Sequence, residues 1–326
     1  METSDIIDLN LPVVDISNLS GSDATARAAA VDAIRSACLD KGFFYCVGHG
    51  VSRDLMARVF DQSARFFALP MNSKMESAVA HSKANRGYEP LRGQTLEPDA
   101  PPDLKEGYYI GVDVRADDER AFNSFNTGPN VWPAAMPDFR KTMEAYHDEM
   151  RRLTATLLSG LALSLDLAPD YFEDFQTSPI ATLRLLHYPA QDANPHPDEK
   201  GCGAHTDFGA ITILVQDDVG GLEVWDHDEA RWIAARPLDG AFIINLGDMM
   251  ARWTNRRYRS TIHRVINRSG RERYSAPFFF SGNPAHVVAC LDSCLGEQPQ
   301  FAPITVDDHM RERYSATYLR DFNRAP

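Results

Sequence analysis

Cysteine is scarce and scattered in this chain. There are five, Cys38, Cys46, Cys202, Cys290 and Cys294, an odd number with no CxxC pair. That argues against a disulfide framework and against a thiolate zinc site, and leaves the cysteines as small apolar filler in a reduced, cytoplasmic setting. Positive charge is in deficit, with 33 Lys and Arg against 46 Asp and Glu and a formal net charge of −13. A nucleic-acid partner would need a basic footprint, and an anionic membrane surface would repel such a balance. Long apolar runs are missing too. No stretch approaches the roughly 18 residues of a membrane-spanning helix. The opening METSDIIDLNLPVVDIS has no basic region before an apolar one, so it does not read as a secretory signal. Repeats, low-complexity tracts and long linkers are absent as well.

What is present suits a large globular unit. The 326 residues are 44% hydrophobic, enough for a sizeable core. Residues 12–16 read as a short strand, 24–40 as a helix capped by Ser22–Asp23, 43–47 as a strand and 51–69 as a helix stopped by Pro70. A Pro-, Gly- and Asn-rich stretch near 80–105 reads as a loop, and 106–112 as a strand. Leu153, Leu157, Leu158 and Leu161 fall at three- and four-residue steps and predict a long helix from 137 to 167. Beyond it come short β-prone runs at 182–188, 211–216, 221–225, 231–233, 241–246, 260–266 and 273–280, separated by turn residues. Such spacing predicts an antiparallel sandwich or barrel rather than βαβ units. A final helix is expected over 306–322. The fold class is mainly β with flanking helices around a jelly-roll core. The expected organisation is an N-terminal mixed lobe (1–120), a long helical segment (121–178), the jelly-roll core (179–285) and a closing segment with a helix (286–326), all one compact unit.

Two sequence constellations carry chemistry. In GAHTDFGAITIL, His205 and Asp207 are two apart, and on a strand that spacing points both side chains to one face. His263, in RSTIHRVIN, supplies a third donor. Two imidazoles and one carboxylate leave about half of a cation's sphere open, which is the donor set of non-haem Fe(II) oxygenases; structural zinc more often takes four protein ligands. His49, in VGHGV, and His187, in LLHYP, are the rival ligands, though neither has a carboxylate two residues away. His147 lies on the long helix, and His196, His227, His286 and His309 sit in polar contexts that suggest solvated side chains. In RYSAPFFF, Arg273 and Ser275 again share a strand face. A guanidinium beside a hydroxyl suits a terminal carboxylate, which Arg binds bidentately.

Together, HTD, IHRV and RYS resemble the isopenicillin N synthase-like family of 2-oxoglutarate/Fe(II)-dependent dioxygenases. KGFFYCVGHGV, NRGY, DLKEGYYIG, GGLEVW, NLGDMMARWTN and FAPITV resemble further segments of that family, so the likeness runs along about the whole chain. The resemblance implies a double-stranded β-helix core with Fe(II) on His205, Asp207 and His263. It also implies 2-oxoglutarate held by Arg273, Ser275 and the Tyr188 hydroxyl, and O₂ as oxidant. The implied reaction is oxidation of a small organic molecule, most simply hydroxylation through a ferryl intermediate, with release of succinate and CO₂. Leu186 stands where the family often has Asn, and Arg184 could replace that polar contact. Asn245 is placed by the likeness near the cosubstrate or in a structural turn. Tyr108, Tyr109, Arg92, Phe208, Leu222 and Phe278 are the candidate substrate contacts. Alternatives of other classes are a 2-oxoglutarate-independent Fe(II) oxidase, ethylene-forming breakdown of 2-oxoglutarate, and a non-catalytic binding module. The expected partner is a small-molecule substrate alone, with no nucleic acid or membrane, for a monomer or weak homo-oligomer.

Overall fold

The alanine-rich run after Asp23 becomes a helix because both of its ends are specified locally. The Asp23 carboxylate accepts from the backbone N–H groups of Thr25 and Ala26 at 2.9 and 3.1 Å, satisfying donors that every helix start leaves open. Gly42, at φ +65°, turns the chain at the other end. The computed structural model describes residues 9–191 and 198–317. Its helices are α1 (Ala24–Asp40), α2 (Arg53–Phe67), α3 (Met71–Met75), α4 (Pro137–Ser164), α5 (Asp248–Trp253) and α6 (Val306–Thr317). Its strands are β1 (Val13–Asp15), β2 (Phe43–Val47), β3 (Gly87–Glu89), β4 (Glu106–Gly111), β5 (Ile180–Tyr188), β6 (Cys202–His205), β7 (Ile211–Gln216), β8 (Leu222–Asp226), β9 (Arg231–Ala234), β10 (Phe242–Leu246), β11 (His263–Val265), β12 (Arg273–Gly282), β13 (Val287–Val288) and β14 (Ile304–Thr305).

Eight strands form a major sheet in the order β1-β2-β10-β7-β12-β5-β4-β3, and four form a minor sheet, β6-β11-β8-β9. All pairings but β1–β2 are antiparallel. The outer face of the major sheet is covered by helices. Leu153, Leu157, Leu158 and Leu161 of α4, with Val59 of α2 and Ile34 of α1, share one core with Leu183, Ile213 and Phe278 of the sheet. The inner face meets the minor sheet over a second core that joins Phe43, Leu186, Tyr188 and Ile243 to Leu222, Val224 and Val265. All nine residues of β5 are buried, as a strand covered on both faces must be. This is the expected jelly-roll with flanking helices.

Some boundaries differ from those read off the sequence. The stretch near 80–105 is not all loop, since it contains β3, which pairs with β4 beyond it; three residues are too few to show alternation. The run 260–266 is strand only over His263–Val265, and β6 and α5 carry no periodic signal of their own. His309 is buried rather than solvated, and its Nε2–H donates to the Phe208 carbonyl at 2.9 Å. The reading of His196 and the end of the last helix at 322 lie outside the described residues.

His147 gives a measurable consequence of burial on α4. It is 6% exposed and its Nε2–H donates to the Ala181 carbonyl at 3.2 Å. Burial pushes its pKa from 6.5 down to about 4. The unfolded chain therefore takes up a proton near pH 6.5 that the folded chain refuses, and stability falls as pH drops from 6.5 toward 4. In urea unfolding, the stability difference between wild type and His147→Gln should shrink by about 2 kcal/mol from pH 7 to pH 5. A difference that stays constant would show that His147 does not carry the effect.

Candidate active site

The three donors predicted from spacing do converge. The Asp207 Oδ1 lies 3.7 Å from His205 Nε2 and 3.7 Å from His263 Nε2, and the three ligand atoms all fall within 4.8 Å of one another. The local path is not the one the spacing suggests. β6 ends on His205, and Asp207 sits past it, where the chain crosses from the minor sheet to β7 of the major sheet. His205 and His263 face each other in register across β6 and β11. The shared direction of His205 and Asp207 thus comes from a strand end plus a turn, not from one strand face.

Each donor is oriented by a second contact. The Nδ1 of His205 lies 2.8 Å from the Gly203 carbonyl and that of His263 lies 3.1 Å from the Thr261 carbonyl. A carbonyl only accepts, so both Nδ1 atoms carry the proton and both Nε2 lone pairs face the shared point. The Asp207 Oδ2 accepts from the Thr212 hydroxyl at 2.6 Å and the Asn245 amide at 2.7 Å, which leaves Oδ1 turned to the histidines. Burial pushes His263 down to about 4 and lowers His205, keeping both imidazoles neutral. Burial opposes the Asp207 charge, yet the neighbouring imidazoles and the bonds from Asn245 and Thr212 hold its carboxyl below the usual range. Two neutral imidazole nitrogens and one carboxylate oxygen on one side of a point fit a divalent iron with open positions. The Cys202 thiol is no competitor. Burial pushes it up to about 11, and it lies 3.9 Å from the Nδ1 side of His205.

The turn bearing Asp207 rests on Gly247. A Cβ there would meet the Gly209 carbonyl at 2.2 Å and that of Asp207 at 2.8 Å. The contact is main chain against main chain, so no side chain can yield. Gly247→Ala should shift Oδ1, costing about 1–3 kcal/mol of stability and at least about tenfold in iron affinity. An iron titration followed by circular dichroism and turnover checks this; unchanged affinity would mean that the turn does not position the carboxylate.

Beyond the three donors, β12 and β5 supply an anion-shaped recess. Arg273 is 1% exposed. Its guanidinium donates to the Gly220 carbonyl (2.6 Å), the Gln216 Oε1 (3.0 Å) and the Ser275 hydroxyl (3.2 Å). It lies 4.7 Å over the Tyr188 ring, which pairs with it in register. Among the described residues no carboxylate ion-pairs with Arg273 and its hydrogen-bond partners are all neutral, an arrangement that favours an incoming carboxylate. Asn245 braces Asp207 and also lines the recess that reaches Tyr188, Arg273 and Ser275. His49 is likewise structural, with its ring bonded to the Gly240 carbonyl at 2.8 Å and to the Val51 N–H at 3.1 Å. The His187 Nδ1 is 2.8 Å from Glu106, on the far side of β5 from the three donors.

Two adjoining cavities of about 60 Å³ each share Leu96, Arg184, His205, Asp207 and Phe279. One reaches Arg273, Ser275 and Tyr188; the other reaches Tyr109, Phe208 and Tyr314. Depressions of about 710 and 770 Å³ elsewhere on the surface touch none of His205, Asp207 and His263. Of the residues expected to meet substrate, Tyr109 and Phe208 line the second cavity and Leu222 the first. Three do not line either one. Tyr108 packs on Phe66 and Phe139 with its hydroxyl on the Val131 carbonyl. Arg92 is half exposed and paired with Glu199 at 2.5 Å. Phe278 is fully buried against His147 of α4. Period two would have excluded Phe278, because Arg273, Ser275, Pro277 and Phe279 share a face and Phe278 lies on the other. The same parity along β5 finds Arg184 and Leu186 from Tyr188. Gln94, Leu96 and Tyr314 come from a loop and from α6, where no periodicity points to a site.

Known proteins match along nearly the whole chain. Residues 11–135 match the non-haem dioxygenase in morphine synthesis N-terminal family, and residues 179–282 the 2OG-Fe(II) oxygenase superfamily. The 2-oxoglutarate-Fe(II) type oxidoreductase hxnY of Emericella nidulans is 48% identical over 95% of this chain and 90% of its own length. Clavatol oxidase claD of Penicillium crustosum is 37% identical over 94% and 96%. Among solved structures, a full-length Neurospora crassa protein in complex with alpha-KG and thymine superposes with a TM-score of 0.82 at 29% identity, over 96% of this chain and 98% of that one.

Proposed function

Because the chain belongs to the 2OG-Fe(II) oxygenase superfamily, we propose that His205, Asp207 and His263 hold its iron and that Arg273, Ser275 and Tyr188 receive 2-oxoglutarate. The protein is an Fe(II)- and 2-oxoglutarate-dependent dioxygenase that oxidises a small molecule. The observation that carries the residue assignment is the Asp207 carboxylate, with Oδ2 tied to Asn245 and Thr212 and Oδ1 equidistant from two proton-free imidazole nitrogens.

When bound, iron supplies the activation of O₂ at the expense of 2-oxoglutarate, which leaves as succinate and CO₂. The chain's own residues do the rest. Arg273 and Ser275 fix the distal carboxylate, so the keto-acid end is presented toward His205 and Asp207. Tyr188, with its phenol pKa raised by burial, stays protonated and can donate to a cosubstrate oxygen. Leu96, Leu222 and Phe279 exclude water from the cavity. The two neutral histidines keep their protons on Nδ1. We also read the protein as a cytoplasmic monomer or weak homo-oligomer that acts without nucleic acid or membrane. The net charge of −13 disfavours polyanionic partners such as nucleic acid or an anionic membrane surface. Among the described residues no helix is long and apolar enough to cross a membrane.

Anaerobic titration tests the assignment. Fe(II) and 2-oxoglutarate together should give a weak visible charge-transfer band in the wild type, and none in His263→Ala. A band of wild-type strength in that variant would remove His263 from the ligand set.

A further inference from the structure

Three full cations line the recess below the iron donors, Arg273, Arg184 and Lys105, against the single carboxylate of Asp207. Two of them are engaged. Arg273 is assigned to the distal end of 2-oxoglutarate. The Arg184 guanidinium pairs with Glu89, donates to the Gln94 Oε1 at 2.9 Å and lies 4.5 Å over the Tyr109 ring, so it is neutralised within the wall. Lys105 is the third. It is 2% exposed, and a buried ammonium is costly unless acceptors surround it.

The strand register turns Lys105 inward. Glu106 pairs with His187 and Gly107 with Leu186 across β4 and β5, and Leu186 lines the recess. One step back, the same register sets Lys105 opposite Tyr188, on the recess side. Tyr188 in turn pairs with Arg273. Lys105, Tyr188 and Arg273 thus form a row across three strands, with the cations about 10 Å apart at the backbone and the phenol between them. The Lys105 end of the row adjoins the iron donors. Its Nζ lies 3.5 Å from the Cys202 Sγ, and that sulfur lies 3.9 Å from the His205 Nδ1.

The ammonium is only partly satisfied. Of its three N–H donors, one goes to Asp103, itself 2% exposed. Another goes to the Cys202 sulfur, a weak acceptor. Among the described residues nothing accepts the third. Asp103 is itself shared, since its Oδ1 accepts from the Gly203 N–H at 2.9 Å. Burial opposes the Lys105 charge, yet Cys202 and Asp103 outweigh it and hold the pKa above the ordinary lysine value. A buried cation with a spare donor, lining a recess beside a metal site, calls for an anionic acceptor.

Building on the assignment above, we propose that Lys105 is a second carboxylate-binding residue, whose ammonium donates to the keto-acid carboxylate of 2-oxoglutarate while Arg273 holds the distal one. Leu186 has no polar atom to offer on that wall, and Arg184 is held by Glu89, which leaves Lys105 as the donor. Two cations at the ends of one row select a dicarboxylate; a monocarboxylate would fill only one of them.

The test uses the full chain with Fe(II) under anaerobic conditions. Lys105→Met removes the donor. The double variant Lys105→Met/Asp103→Asn also removes the partner charge and keeps an acceptor for the Gly203 N–H. Iron content after gel filtration should equal that of wild type. The 2-oxoglutarate titration midpoint should rise at least about tenfold, the scale of one hydrogen bond to a charged group. The visible band should also move to shorter wavelength, because a cation beside the keto acid lowers the orbital that receives the iron electron, and removing that cation raises it. An unmoved midpoint or an unmoved band maximum, in whichever variant folds, overturns the proposal. So does loss of iron, which would make Lys105 a brace for β6 that acts on His205 through Asp103 and Gly203. Failure of the underlying assignment looks different, because the wild type itself would then give no band with 2-oxoglutarate.

Discussion

Asp207→Ala should reduce turnover by at least about 10³-fold and abolish tight Fe(II) binding, while leaving the fold intact. The neighbours of a ligand are already worth about 10- to 100-fold in metal affinity, and the ligand itself is worth more. Asp207 is also the only anion among the three donors, so its loss removes the charge that offsets a divalent cation. Asn245→Ala provides the graded companion. It frees Oδ2 from one of its two bonds and should weaken iron binding about tenfold. Iron content after gel filtration, together with the anaerobic band, reads both variants. Asp207→Ala with wild-type iron content would place the metal elsewhere.

Arg273→Ala should raise KM for 2-oxoglutarate by roughly 10²-fold, about 3 kcal/mol, with iron content unchanged. Truncating one partner of a buried, hydrogen-bonded charge pair costs about 2–5 kcal/mol. Here the Gln216 Oε1 and the Gly220 carbonyl would also lose their donor. Arg273→Lys should recover only part of the loss, because a single ammonium cannot reproduce the fork that reaches Ser275, Gln216 and a carboxylate at once. Succinate release against 2-oxoglutarate concentration measures both. A KM within a factor of ten of wild type in Arg273→Ala would mean that the distal carboxylate is held by something else.

The parts of this protein that obey a period were legible in the sequence. Leu153, Leu157, Leu158 and Leu161 announce α4, and Arg273 with Ser275 announces a shared face of β12. Asp23 marks a helix start by the chemistry of its own side chain. The three donors were legible as residue types in a pattern, though the strand geometry assumed for His205 and Asp207 was not the one the chain uses. A turn between two sheets leaves no periodic trace, and its shape is set by main-chain contacts with Gly247 far along the sequence. The substrate side was least legible. Gln94 and Tyr314 reach the cavity from a loop and a terminal helix, and nothing local to either residue encodes that meeting. Tyr108 and Phe278 show the reverse error. Each is aromatic and adjacent to a site residue, yet each sits on the wrong parity of its strand and belongs to the helix-facing core.

The row Arg273, Ser275, Pro277, Phe279 has a bearing on how such an enzyme can diverge. On the assignment proposed above, a single strand holds, in strides of two, the grip on the reagent and a wall of the chamber for the compound being altered. Changes at the far end of the row can retune what is accepted without disturbing the grip. An insertion of one residue inside the strand is another matter: it throws the remainder out of frame, sending the chamber wall into the helical layer and a core phenylalanine into its place.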